Sequence, residues 1–574
     1  MADITYPTEQ MHRIRYTKLT EERIGLYLDA MGPGPWGDSE HSNALAGQSL
    51  RIVTDNGPVL RYTFRDGSRL TLAEGDGAPV QGGYGALELK QLVLFSHLLP
   101  GTQRGYTVVL DQDTRLATVC EMWFSGYTDN REVQREIYYG YVDTGGEAPA
   151  ARHRATNRLE GKGFHWTQDN GIETLELYPS VLYSNFVELT RFGGELSFCA
   201  PSDFVQLTDE QYIYSRVEAE FSGTMTLYVL DLFDLRQVGV RLGFDHHDVP
   251  EFYLFTGRGE TLGQLAQFEP FGDYDVPGPG GNQGTPRKGQ RRVYRPLLTN
   301  PVMTQAEVEA AVANNRAVFA STGGMAGNKL SPSDYLVGKP LAVRYENGGP
   351  VIEYRFDDIQ TLRWRFEGDT MWREERYEAW EPDGNVVMFA HLLSGTPRHD
   401  CVSIVVDFDN GLTSCMQGML GTTYIANEAS VKTWFGVVEM EGLTAPTYRR
   451  HQFTDELAGR ALTWHYSPGL TSMHLYSTPH SLSWIIFLGN GAGGLEWSGP
   501  AQYVKIRDGL YLLNWVEEAC NGTLGTIVVN TRTMHDCGTS YHVGPEGLRL
   551  SAVGAHSRNA GQYDVARFYR VGQV

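Results

Sequence analysis

Apolar and polar positions alternate with a period of two along much of this chain. In Leu341-Ala-Val-Arg-Tyr, Val351-Ile-Glu-Tyr-Arg-Phe and Thr361-Leu-Arg-Trp-Arg-Phe every second side chain is large and apolar, so each segment has one face for a core and one for water. Asn347-Gly348 lies between the first two and supplies the residues that a two-residue hairpin turn favours. A meander of short antiparallel strands follows. Six to eight such strands with a common apolar face close into a barrel, which removes its own edges and often leaves an interior cavity.

The pattern then repeats. Gly57-Pro-Val-Leu-Arg-Tyr-Thr-Phe64 matches Gly349-Pro-Val-Ile-Glu-Tyr-Arg-Phe356, and Leu94-Phe-Ser-His-Leu-Leu99 matches Met388-Phe-Ala-His-Leu-Leu393. Further along, His153 pairs with His451, Trp166 with Trp464, Tyr178 with Tyr476, Glu218 with Glu517, Gly223 with Gly522 and Gly239 with Gly538, all in the same order. The chain is therefore a tandem duplication. Each half divides again, because Val387–Leu393 and Leu510–Glu517 are each followed by a turn and a second apolar strand.

The expected fold is all-β: four antiparallel barrel units, arranged as two two-barrel halves with one short linking helix. The units fall at 45–148, 149–256, 336–443 and 444–574, the last with a C-terminal tail, after an N-terminal extension at 1–44. Residues 257–335 read as a linker, since Pro277-Gly-Pro-Gly-Gly-Asn-Gln-Gly-Thr-Pro and the basic Arg287-Lys288 and Arg291-Arg292 lack any strand pattern. Inside it, Thr304 with Glu307 forms a capping-box start to an Ala-rich helix near 304–318.

Composition narrows the function. The chain has 574 residues, more than one core normally supports, and 31 Tyr, 24 Phe and 65 Gly suit strands and turns. A formal charge of −21 disfavours nucleic acid as a partner. No apolar run is long enough for a spanning helix and Met1-Ala-Asp-Ile-Thr-Tyr has no leader pattern, so the expectation is a cytoplasmic protein away from the membrane, compatible with homo-oligomerisation. The six cysteines form no CxxC pair and read as reduced core thiols.

Several constellations could carry chemistry. In Trp515-Val516-Glu517 the tryptophan and the carboxylate share one face of a strand; if that face is the barrel interior, Glu517 is a desolvated carboxyl suited to proton transfer. Glu218 occupies the equivalent place in the first half. His97 and His391 sit on the corresponding strand of the other two units, as candidate bases or as core histidines. Asp245-His246-His247-Asp248 has metal-ligand residue types but no accompanying cluster, and Gly489-Asn-Gly-Ala-Gly-Gly494 lacks the Lys-Ser/Thr ending of a phosphate loop. No metal and no cofactor is expected.

The run Tyr511-Leu-Leu-Asn-Trp-Val-Glu517, a Gly-Thr turn and Ile527-Val-Val-Asn530 resemble the signature strand pair of the molybdenum-cofactor biosynthesis protein F (MoaF) family, whose members combine two lipocalin-like (calycin) barrels, which implies that barrel type for all four units here. The Trp-Val-Glu strand and Arg344-Tyr-Glu-Asn-Gly348 are also similar to bacterial phenolic acid decarboxylases, single barrels that use no cofactor. That second resemblance implies a proton-transfer role for Glu517 and a substrate contact for Tyr466, while Leu495-Glu-Trp497 stands where the decarboxylases place a substrate-binding arginine.

The reading is a cofactor-independent lyase or isomerase for a small aromatic or apolar metabolite held in a barrel. Glu517, Glu218, His97 and His391 are the candidate catalytic residues; Tyr466, Trp515, Tyr476, Tyr178, Trp464 and Trp166 are the candidate substrate contacts. The alternative is a non-catalytic carrier of a small hydrophobic ligand.

Overall fold

The computed structural model describes residues 20–266, 277–278, 281–282 and 324–569, apart from short stretches at 33, 36–38, 40, 125–130, 181–182, 191–193, 219–222, 246–248, 422–428, 489–495, 518–522 and 545–546. The helix expected near 304–318, most of the linker, the His246-His247 pair and the Gly489–Gly494 loop lie outside the described residues. Nearly everything described is antiparallel strand, organised as four barrels.

Barrel three shows the unit in its simplest form. Its eight strands, from Leu341–Tyr345 to Ala429–Glu439, close when the first pairs with the last, Ala342 opposite Glu439 and Tyr345 opposite Gly436. The turn anticipated at Asn347-Gly348 has φ of 55° and 78°, the left-handed pair that matches the twist of a hairpin. In barrel one the strand equivalent to Arg373–Asp383 is split at Tyr84 into Val80–Gly83 and Gly85–Leu89, which form the two ends of a nine-stranded sheet. The ring is thus closed there by the chain itself, and the Tyr84 hydroxyl donates to the Asp66 carbonyl at 2.8 Å.

Barrels two and four close through their fourth and fifth strands, Phe198–Gln206 with Gln211–Glu218 and Glu496–Arg507 with Leu510–Glu517. The long final strand of barrel two, Pro250–Gln264, is matched in barrel four by two pieces, Gly547–Val553 and His556–Gln562. The break falls at Gly554, where a Cβ would come within 2.4 Å of the Lys329 Cα. Glycine is required there because the segment entering the second half runs across the barrel.

The outer faces of the barrels are also apolar, which explains strands that are apolar at nearly every position rather than at alternate ones. Leu94, Val109 and Met122 of barrel one pack with Ile213, Leu227 and Val240 of barrel two. The helix Glu21–Met31, capped by Thr20 accepting from the Arg23 N–H, lays Ile24 and Leu28 on the same seam. Met388, Val405, Val504 and Val528 form the corresponding seam of the second half.

The halves meet through barrels two and four. Leu175, Leu177 and Val187 pack with Met473, Leu475 and Ile485, which are the equivalent residues of the other copy. Asn185 donates to Glu496, and in the reciprocal position Ser197 lies 3.5 Å from Ser483. An interface built from the same patch on both partners has the pattern of a twofold dimer. Among the described residues no helix is long and apolar enough to cross a membrane.

Candidate functional site

Strand register decides which side chains reach each barrel interior. In barrel two, Tyr214, Arg216 and Glu218 lie on alternate positions of Gln211–Glu218 and all point inward, as do Glu176 from Glu173–Leu177 and Arg241 from Arg236–Phe244. They form one ionic lattice. The Arg216 guanidinium donates to Glu176 and, at 2.9 Å, to Glu218; Arg241 donates to Glu218 at 2.7 Å and to Glu251 at 2.6 Å. Arg216 also lies 3.7 Å from the centre of the Phe186 ring and 5.6 Å from that of Tyr228.

This lattice reverses the electrostatics expected of Glu218. Burial alone would raise its pKa, but Arg241 and Arg216 outweigh burial and hold it at about 2. Glu218 is interior, as anticipated, yet it is a fixed anion with its charge already committed. The carboxyl that burial does push upward is Glu176, despite its contact with Arg216.

Barrel four places different residues at the same positions. Trp515 stands where Arg216 does and Ser540 where Arg241 does, and the interior is walled by Trp464, Tyr466, His474, Tyr476, Trp484, Trp497 and Trp515. The Trp515 indole donates to the Glu517 carboxylate at 2.7 Å, so the pair shares one face of its strand as the spacing predicted. Glu517 is half-buried at the strand's end rather than fully enclosed. Tyr466 bonds His474 at 3.4 Å, and burial lowers that imidazole to about 3, keeping it neutral.

Sequence reasoning missed Asp536. Cys537 beside it faces the outer seam and Val529 across from it faces the core, so Asp536 points inward. It is 1 % exposed; Oδ1 accepts the Ala555 N–H at 2.5 Å and Oδ2 has no hydrogen-bond partner. Burial pushes its carboxyl well above the usual range. The signal was present in the alternation leading to Gly538 and Ser540, but an aspartate beside a turn reads as a turn residue.

The remaining predicted residues sort by barrel. Tyr178 and Trp166 are fully buried inside barrel two, as Tyr476 and Trp464 are inside barrel four. His97 and His391 are enclosed in barrels one and three, where they meet the hydroxyls of Tyr62 at 3.1 Å and Tyr354 at 3.0 Å. Burial lowers both to about 4, and each stacks on the phenylalanine two residues earlier. These are surroundings of neutral core histidines. Among the described residues no group of three or more His, Cys, Asp or Glu could hold a metal ion.

Barrels three and four coincide with two family models: the MoaF N-terminal domain matches residues 319–422 and the MoaF C-terminal domain residues 451–562. The second half of the chain thus carries the MoaF domain pair. The first half repeats the same barrel order, with Glu218 and Gly239 in register with Glu517 and Gly538. No curated protein matches the chain. Among solved structures, a prolyl endopeptidase chain aligns at 8 % identity over 96 % of this chain and 54 % of that one, so this chain spans about half its length; the TM-score is 0.08.

Proposed function

We propose that barrel four is the working site of a cofactor-independent lyase or isomerase, with Glu517 transferring a proton on a small aromatic or apolar ligand. The observation that carries this reading is the contrast at one position. Glu218 is locked between two arginines, whereas Glu517 is held by an indole at the edge of an aromatic interior. At Glu517 the positions of those two arginines are taken by Trp515 and Ser540, and a carboxylate oriented at the edge of an aromatic wall has the placement a general base needs. The aromatic wall supplies apolar contact for a flat ligand, and neutral His474 adds no competing charge.

The same wall would suit a carrier. The two readings separate when the full chain is incubated with a panel of aromatic acids, aldehydes, ketones and alkenes and the mixtures are read by mass spectrometry. Altered compounds support the enzyme; compounds bound and recovered unchanged across the whole panel support the carrier.

A further inference from the structure

Trp464, Tyr476 and Asp536 face the interior of barrel four and are at most 1 % exposed. The Trp464 indole is directed at the Tyr476 oxygen, which leaves the Tyr476 O–H and Asp536 Oδ2 to be satisfied. Buried polar groups are nearly always satisfied, so these two mark a place where something else satisfies them. The equivalents in barrel two, Trp166 Nε1, Tyr178 Oη and the Gln237 amide, are without partners. A neutral amide and an aspartic acid thus occupy the same inward position in the two copies.

We propose that barrel four takes a neutral aromatic ketone, aldehyde or enone, its carbonyl oxygen held by Tyr476 and Asp536, with Trp464 orienting the tyrosine, while Glu517 moves a proton on the carbon skeleton. The ligand class deepens the function proposed above and rests on it only for the proton step. An anionic ligand would lack the buried counter-charge of barrel two, because Trp515 and Ser540 replace its two inward arginines, leaving half-buried Arg460, at the start of the strand Arg460–Ser467, as a cation near Tyr476. A hydrocarbon would leave the donors unmet. A carbonyl oxygen has two lone pairs for them.

Asp536 can serve as a donor in its protonated form, which burial favours, with the Ala555 N–H only partly offsetting that. Tyr466 feels the charge of both Asp536 and Glu517, which places all three in one region of the barrel. In the step itself the Cα–H bond breaks and its proton passes to the Glu517 carboxylate. The electron pair becomes a carbon–carbon double bond, and the carbonyl π pair moves onto the oxygen, where the donors stabilise it. Glu517 then returns the proton to the same carbon or to a conjugated one. No electron is gained or lost overall, so neither an oxidant nor a cofactor is needed.

The test uses the full chain with benzylideneacetone, the hydrocarbon butylbenzene and the anion cinnamate, with binding read by tryptophan fluorescence. The ketone should bind at least about tenfold more tightly than the hydrocarbon, the increment of one buried hydrogen bond, and cinnamate more weakly than either. Tyr476→Phe, which keeps the ring and loses the hydroxyl, should erase most of the ketone's advantage, and Asp536→Val should do the same if it folds. Equal affinity for ketone and hydrocarbon, preference for cinnamate, or no measurable ketone binding would overturn the assignment. Exchange of the ketone's α-protons in D2O, abolished by Glu517→Gln with ketone binding retained, supports the ligand and the proton step together. Ketone preference without exchange supports the ligand class while removing the proton-transfer reading.

Discussion

Barrels two and four descend from one pattern, and their interiors show how a few replacements change what a barrel can do. In barrel two, Arg216 and Arg241 sit among Glu176, Glu218 and Glu251, and every charge that enters the core is answered by another. In barrel four, Trp515 and Ser540 take the places of those arginines; Glu517 accepts from the Trp515 indole and Asp536 from the Ala555 N–H. The same strand register therefore yields a self-neutralised ionic interior in one copy and an aromatic interior in the other. A glutamate preserved through duplication keeps its position but not its partners, because those arrive from other strands.

The largest structural effect should come from Arg216. Removing a buried guanidinium leaves Glu176 and Glu218 facing each other without it, so Arg216→Leu should cost about 3–5 kcal/mol of stability, measured by denaturant unfolding of the full chain. Trp515→Leu, at the equivalent position, takes one neutral donor from half-buried Glu517 rather than a buried cation from two carboxylates, and should show the smaller loss. Equal losses would mean that the ionic lattice of barrel two is not what holds its interior together.

A smaller effect concerns acid. His97 and His391 have folded pKa values of about 4 against an ordinary 6.5, and His474 about 3. Groups with lowered histidine pKa values bind protons more readily when unfolded, so their contribution is complete above pH 6.5 and declines as pH falls toward 4, by up to about 1.4 kcal/mol per pH unit for each histidine. Glu218 adds a second, lower window: its contribution is present above pH 4.5 and is lost as pH falls toward 2. The double substitution His97→Gln with His391→Gln should reduce the slope of the upper window, leaving the share of His474 and of His153, which burial also lowers to about 4, and should leave the lower window unchanged. A slope between pH 6.5 and 4 that is the same in the double variant would assign the acid sensitivity elsewhere.

Much of the architecture was legible in the sequence because it rests on local periodicity and on a repeat. Ile352, Tyr354 and Phe356 alternate as the strand requires, Asn347-Gly348 forms the anticipated turn, and Trp515 and Glu517 share a face because strand geometry demands it. What could not be read locally was the company each residue keeps. Arg241 and Glu176 approach Glu218 from strands more than 20 residues away, so the ion pairs that set its pKa are a product of barrel closure. The split of a strand at Tyr84 and the helix Glu21–Met31, whose Ile24 and Leu28 serve a seam between barrels, also depend on packing partners remote in sequence. Asp536 was hidden for the opposite reason. Its inward register is regular, but nothing in its neighbours suggested that the carboxyl would be buried.

The central claim is that the two equivalent glutamates have parted company, and it is tested most directly by pairing Glu517→Gln with Glu218→Gln. On whichever compound of the panel the wild-type chain transforms, Glu517→Gln should keep the fold and lower turnover by about 10²–10⁴-fold, the range of a general acid–base group. Glu218→Gln should lower stability with turnover per folded molecule intact, because it removes a committed anion from the Arg216–Arg241 lattice. Unchanged turnover in Glu517→Gln, or a comparable loss in Glu218→Gln at full folding, would contradict the account.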